Sequence, residues 1–247
     1  MVIVGIIPAR YASTRFPGKP LVDIKGKPMI QHVYEKANEA LDLVCVATDD
    51  ERIEKAVKNF GGNVVITNAN HPSGSDRCAE AIRLFERQKN IVSDVVINIQ
   101  GDEPFIDPAQ IQQLANLFVI PTTQIATLIK SISDREILFN ANKVKVVINK
   151  NGEAMYFSRS SIPFVRNEKE ENWLSAAKFY HHIGMYGYRK EILFEICKLE
   201  KSSLENAESL EQLRWLENNY KISTAITHIE GFSIDTPEDL EELLKQL

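Results

Sequence analysis

Four short apolar runs, at residues 2–7, 43–48, 63–67 and 94–100, are separated by stretches with helical periodicity. Runs this short and this continuous read as strands buried on both faces. Between them, Met29, Ile30, Val33, Ala37 and Leu41 share one face after the Gly26-Lys27-Pro28 turn. A second helix is expected to run to Phe60, with Asp50 as its cap and Gly61-Gly62 as its stop. A third opens after His71-Pro72-Ser73-Gly74-Ser75-Asp76-Arg77 and places Cys78, Ile82 and Phe85 at helical spacing. Ser73 or Ser75 can cap it. Strict alternation of strand and helix predicts an α/β fold with a mostly parallel central sheet and right-handed crossovers. In such sheets ligands bind beyond the carboxyl ends of the strands.

Three segments concentrate polar chemistry at such ends. The first strand leads into IIPARYASTRFPGKP, residues 6–20, which gathers Arg10, Arg15 and Lys19 with Ser13, Thr14 and Gly18. Cations offset phosphate charge, while hydroxyls and free backbone N–H groups supply directional donors, so the loop suits a polyphosphate. It is not a Walker A loop, because Gly18-Lys19 runs into Pro20 without a glycine-rich lead. Composition alone leaves a second reading open, a surface loop with solvated charges. The central run 94–100 ends in Gly101-Asp102-Glu103-Pro104. Asp102 is placed there to hold Mg²⁺ bridging phosphate oxygens, although the same four residues also suit an ordinary turn. Near the C-terminus, Asp235-Thr236-Pro237-Glu238-Asp239-Leu240 reads as a helix start, with Thr236 as cap and Asp239 as its capping-box partner. That leaves Asp235 without a structural role. The dinucleotide fingerprint GxGxxG is absent.

After a helix expected over residues 107–118 the alternation weakens. Residues 144–148 and 154–157 read as two strands around Asn149-Lys150-Asn151-Gly152, a hairpin signal. A charged stretch follows at 166–172. His181 and His182 precede a strand at 183–188 and, being adjacent, point to opposite faces, which argues against their chelating one metal. One helix is expected over 205–218. No internal repeat or linker separates a second independent domain, so 1–247 reads as a single domain with an insertion at about 144–190.

Composition sets the remaining limits. A chain of 247 residues, 44% of them hydrophobic, can bury a sizeable core. The formal net charge of −5 argues against nonspecific nucleic-acid binding. An acidic chain that handles an anionic substrate must gather its basic residues locally, as the first loop does. No apolar run is long enough to span a membrane, and Met1 enters a strand without a signal-peptide lead. Cys45, Cys78 and Cys197 are widely spaced, without CxxC pairing, and read as free thiols. A cytoplasmic protein is expected.

The loop PARYASTRFPGKPL resembles the signature of the sugar nucleotidyltransferases, and in particular that of the 3-deoxy-manno-octulosonate (Kdo) cytidylyltransferase family. The similarity recurs in order at residues 47–50, 73–77, 100–104, 156–163, 182–188, 210–214 and 235–240, nearly the whole chain. The resemblance implies a Rossmann-like nucleotidyltransferase fold with a small strand-rich dimerisation insertion, and a homodimer. It implies transfer of CMP from CTP to the anomeric hydroxyl of a Kdo-type sugar acid, with release of pyrophosphate, for lipopolysaccharide biosynthesis. Pro8, Ala9, Arg10, Ser13, Thr14, Ser73, Gly74, Arg77 and Gln100 would then bind the nucleotide, while Arg15 and Lys19 hold the leaving pyrophosphate. Asp102 and Asp235 would share Mg²⁺. Arg159, His182, Tyr186, Glu211 and Gln212 would face the sugar beside Asp235. Ser75 stands where family members often carry Thr, and keeps the hydroxyl. Two rival readings share these residues: a cytidylyltransferase for the 8-amino Kdo analogue or for a sialic acid, and a catalytically silent nucleotide-binding regulator on the same fold.

Overall fold

A computed structural model of the chain describes residues 1–12, 16–229 and 231–246, with the side chain of Gln246 left aside. The chain forms two compact units, Met1–Ala115 with Glu230–Leu247, and Asn116–Ile229. In the first, β1 (Ile3–Ala9) is followed by a two-residue hairpin, β2 (Asp23–Ile24) and β3 (Lys27–Pro28), and by α1 (Met29–Ala40). Then come β4 (Val44–Thr48), α2 (Glu51–Asn59), β5 (Val64–Ile66), α3 (Gly74–Lys89), β6 (Val95–Asn98) and α4 (Pro108–Asn116). The strands β6, β1, β4 and β5 lie side by side and all parallel. Every residue of β4 and of β6 is buried, as continuous apolar runs require of a sheet covered on both faces.

The helices begin where the sequence places their caps. Asp50 accepts a hydrogen bond from Arg52 N at 2.9 Å, and Ser73, not Ser75, accepts from Asp76 N at 3.2 Å. Met29, Ile30, Val33 and Ala37 form the buried face of α1. Cys45 and Cys78 are buried and Cys197 is half-buried, none of the three in a disulfide, and burial pushes the Cys45 thiol up to about 12. That thiol is chemically inert at neutral pH.

The second unit is mixed. It holds β7 (Ile125–Ser131), α5 (Arg135–Phe139), β8 (Lys145–Ile148), β9 (Ala154–Ser158), α6 (Trp173–Ala176) and β10 (Tyr180–Arg189). These are followed by α7 (Lys190–Ile196), α8 (Ser203–Glu208), α9 (Glu211–Glu217) and β11 (Ile222–Ile226). β10 pairs antiparallel with β7 and β8, β8 pairs antiparallel with β9 as the hairpin signal predicts, and β11 pairs parallel with β7. A register shift in β10 between Ile183 and Tyr186 bulges the strand where the histidine and tyrosine of interest lie. The single helix expected over 205–218 is two helices. Ser202 and Glu205 form a capping box at the start of α8, and Ser209 ends it in the left-handed conformation at φ 52°. Leu210 is then extended before α9. Helical propensity runs through this stretch, but Arg159 binds the carbonyls of Glu208 and Ser209 and so takes them out of any continuing helix.

The chain returns to the first unit for α10 (Pro237–Gln246). Ile234 and Leu243 pack with Ile24 and Met29, with Phe16, Phe232 and Leu240 against them. This cluster fixes the segment that carries Asp235. Among the described residues no helix is long and apolar enough to cross a membrane.

Candidate active site

β1 ends at Ala9 and β6 at Asn98, and the two run parallel as neighbours, so the chain leaves both at the same sheet edge. A cavity of about 410 Å³ opens there, lined by Pro8, Ala9, Arg10 and Ala12 from the first exit and Gln100, Gly101 and Asp102 from the second. Lys19, Pro20 and Asp235 complete it. Gly101 makes the two exits compatible: a Cβ there would lie 2.6 Å from the carbonyl oxygen of Pro8. On the loop, Gly18 adopts φ 74°, and its N–H donates to the carbonyl of Tyr11 at 2.9 Å. Only glycine takes that backbone without strain. The Arg52 guanidinium stacks over the Tyr11 ring at 3.3 Å and ties the loop to α2.

At the cavity wall the Lys19 ammonium donates to Asp102 Oδ2 at 2.9 Å, to the carbonyl of Ile234 at 2.8 Å and to Asp235 Oδ1 at 3.4 Å. The backbone makes this meeting possible, because Ile234 N donates to the carbonyl of Asp102 at 2.9 Å. Asp239 secures the turn from the other side, accepting from the N–H groups of Asp235 and Thr236 at 2.8 Å each, while Thr236 Oγ1 accepts from Asp239 N at 3.2 Å. Two carboxylates and a carbonyl converging on one cationic point are hard oxygen donors of the kind a small dication takes, with phosphate oxygens and water filling its other positions. No group of three or more His, Cys, Asp or Glu side chains suited to a metal occurs among the described residues. A metal held by Asp102 and Asp235 would therefore draw part of its coordination from substrate.

The other residues singled out in the sequence fall into three sets. Arg10 is exposed at the cavity, and no carboxylate among the described residues pairs with it. Ser13, Thr14 and Arg15 lie outside the described residues. Ser73, Gly74 and Arg77 do not line the cavity; Ser73 caps α3, and Arg77 is buried with Nη1 donating to Thr67 Oγ1 at 2.6 Å and Nη2 to Asp49 at 3.3 Å.

Arg159, His182, Tyr186, Glu211 and Gln212 all belong to the second unit. The Arg159 guanidinium donates to the carbonyls of Glu208 at 2.7 Å, Ala141 at 3.2 Å and Ser209 at 3.4 Å. Two of its five N–H groups are left for a ligand. His182 is half-buried as a residue, but its ring is enclosed, edge-on to Phe157 at 5.2 Å and tilted on Tyr186 at 5.0 Å. Burial, with a smaller contribution from His181, pushes its pKa down to about 3. The Thr127 hydroxyl has one proton and two carbonyl acceptors, Met185 at 2.8 Å and Ile183 at 3.1 Å, which assigns His182 Nε2–H as the donor to Thr127 Oγ1 at 3.0 Å and leaves Nδ1 as an acceptor. Tyr186 packs edge-on against Trp215 at 5.0 Å, and its buried hydroxyl has no hydrogen-bond partner among the described residues. Burial, then the nearby Glu211 charge, raises its pKa well above the usual phenol. Glu211 opens α9 and accepts from Arg214 at 3.1 Å, and Gln212 is buried beside it.

Four contributors escape sequence reasoning: the carbonyl of Ile234, Thr127 beneath His182, Trp215 against Tyr186, and Glu208, which accepts from Ser158 Oγ at 2.6 Å and Arg159 N at 2.9 Å. None carries a local signal. Ile234 lies between elements and the other three lie in a strand or helix, and only its tertiary partner distinguishes each.

Cations and paired carboxylates at the strand ends of a parallel sheet, over a cavity, suit nucleotide phosphates, and the chain is a nucleotidyltransferase. The fold alone is shared at a distance, for example with a putative glucose-1-phosphate thymidylyltransferase from Bacillus anthracis, at 19% identity and a TM-score of 0.62, over 99% of this chain and 95% of that one. The cytidylyltransferase family model matches residues 4–222. A 3-deoxy-manno-octulosonate cytidylyltransferase of Parabacteroides distasonis is 59% identical over 99% of this chain and 97% of its own. A solved CMP:2-keto-3-deoxy-manno-octonic acid synthetase complexed with CTP aligns at 41% identity and a TM-score of 0.89, covering 100% of this chain and 98% of that one. The chain belongs to the cytidylyltransferase family, among the 3-deoxy-manno-octulosonate cytidylyltransferases. Enzymes of the nucleotidyltransferase family generally use a divalent metal.

Proposed function

We propose that the protein transfers CMP from CTP to the anomeric hydroxyl of 3-deoxy-D-manno-octulosonate, releasing pyrophosphate and forming CMP-Kdo. The observation that carries this reading is the convergence of Asp102 and Asp235 on one point beyond the strand ends, in a chain so similar over its full length to named 3-deoxy-manno-octulosonate cytidylyltransferases. Phosphoryl transfer of this kind needs positioning and charge neutralisation more than covalent catalysis. The anomeric oxygen forms a bond to the α-phosphorus, the bond to the β-phosphate oxygen breaks on the opposite side, and the hydroxyl proton is released. Asp102 and Asp235 would hold Mg²⁺, which supplies charge at the α-phosphate and acidifies the attacking hydroxyl. Arg10 and Gln100 line the nucleotide side of the cavity, and Lys19 with Arg15 takes the leaving pyrophosphate. Arg159, His182 Nδ1, Tyr186, Glu211 and Gln212 recognise the sugar acid, Arg159 through its remaining donors to the carboxylate. Thr127 acts on this set by fixing the His182 tautomer.

A cytoplasmic homodimer is part of the same reading, supported by three cysteines outside any disulfide and by exposed apolar residues around the β8–β9 hairpin. The test is a Mg²⁺-dependent pyrophosphate-release assay with CTP and a panel of Kdo, its 8-amino analogue and a sialic acid. Kdo should give the highest kcat/KM. A strong preference for the amino sugar would overturn the sugar assignment and leave the cytidylyl chemistry. No turnover with any sugar acid would favour a silent nucleotide-binding protein.

A further inference from the structure

Lys19 stands in two incompatible places. The leaving pyrophosphate calls for its ammonium in the cavity, yet here that ammonium lies between the two carboxylates. Its three N–H groups have three acceptors, Asp102 Oδ2 at 2.9 Å, the carbonyl of Ile234 at 2.8 Å and Asp235 Oδ1 at 3.4 Å. The side chain is 13% exposed, so solvent screens this contact only in part. A dication held by Asp102 and Asp235 would compete with the ammonium for these two carboxylates and would sit beside its positive charge, a repulsion that a partly buried site does not screen out. The ammonium and the metal ion therefore exclude one another.

We propose that Lys19 is an internal counter-ion, which occupies the divalent-cation position in the free protein and leaves it when a nucleoside triphosphate enters. The backbone permits this without rearrangement. Gly18 and the short helical turn Lys19–Leu21 are pinned by Leu21 N donating to the Gly18 carbonyl at 2.8 Å and Val22 N to that of Lys19 at 3.2 Å. Only the unbranched four-carbon stem has to swing. A triphosphate in the cavity offers the ammonium more negative charge than the two carboxylates do, and the carboxylates then meet the metal already side by side. The metal site thus opens with the nucleotide and stays closed to a bare dication. The idea rests on the reading of Asp102 and Asp235 as metal ligands.

Mn²⁺ binding to the full-length chain without nucleotide, followed by the paramagnetic signal of free Mn²⁺, tests it apart from activity. Lys19→Met keeps the stem and removes the charge, and should bind one Mn²⁺ at least about tenfold more tightly than the unaltered protein. Lys19→Arg keeps the charge and should stay as weak as the unaltered protein. Lys19→Gln carries the same comparison if the Met variant does not fold. Binding by the neutral variants that is no tighter, or is weaker, overturns the inference. The double variant Lys19→Met with Asp235→Asn separates the two claims: loss of the tight site there supports both, whereas tight binding that survives it defeats the metal reading itself.

Discussion

Asp235 is the residue whose role the helix-start chemistry around it does not explain. Thr236 and Asp239 satisfy the cap between them, and the Asp235 side chain is left to face Lys19 and Asp102. Asp235→Asn keeps the cap and removes the charge. Turnover with saturating CTP and Mg²⁺ should fall by roughly a hundredfold or more, with the melting temperature little changed. Near-normal turnover would defeat the two-carboxylate site. His182 makes a different prediction. Its folded pKa of about 3 lies below the ordinary value of 6.5, so the unfolded chain binds the proton first as pH falls. The stability this neutral imidazole contributes is full above pH 6.5 and is lost as pH drops toward 3. In urea denaturation, the advantage of the unaltered protein over His182→Asn should shrink by on the order of 2 kcal/mol between pH 7 and pH 4.5. An advantage that does not change with pH would mean the ring is open to water.

At the scale of elements, the α8–α9 corner is held by charge as much as by packing. Arg214 lies 3.1 Å from Glu205, an ion pair by distance though not aligned as a hydrogen bond at Nε, and donates to Glu211 at 3.1 Å and to the Leu199 carbonyl at 2.9 Å. One buried guanidinium thereby joins α8, α9 and the loop after α7. Removing one partner of a buried pair strands the others, at a cost of about 3–5 kcal/mol. Arg214→Met, which keeps most of the volume, should lower the urea unfolding free energy on that scale and raise the KM for the sugar more than that for CTP. A loss below about 1 kcal/mol would show that solvent already screens these pairs. Arg159 completes the corner from β9 by holding the carbonyls of Glu208 and Ser209, so it positions Glu211 and Gln212 as well as serving as a candidate ligand.

For the whole molecule, the open question of assembly centres on the β8–β9 hairpin and the segment beyond it. Met155 and Phe164 are 62% and 73% exposed, large apolar side chains left in water. The Phe164 ring lies edge-on to Trp173 at 5.1 Å, continuous with the cluster of Ile132, Leu138, Trp173 and Phe179. We expect a homodimer that covers these residues with an interface of at least about 1,000 Å². Light scattering at micromolar concentration should return twice the chain mass of 28.0 kDa. A monomer there, or a dimer unaffected by Phe164→Asp, would place the contact elsewhere or remove it.

The parallel half of the fold was legible because its signals are local. Short continuous apolar runs bounded by turn signals read as buried strands, and Asp50, Ser73 and the Thr236–Asp239 pair cap helices through bonds made within a few residues. The mixed half was less legible. β7 and β11 are not predicted from the sequence, and one helix is predicted over 205–218, because Arg159, which binds the carbonyls at the corner, is distant in sequence. The cations and carboxylates of the candidate site could be read from their places at strand ends. Their geometry could not. That Ile234 N reaches the Asp102 carbonyl, and that the Lys19 ammonium lies between Asp102 and Asp235, depends on a hydrophobic cluster joining Ile24 and Met29 to Ile234 and Leu243. Burial of those side chains is cooperative and nonlocal, so only the folded chain decides it.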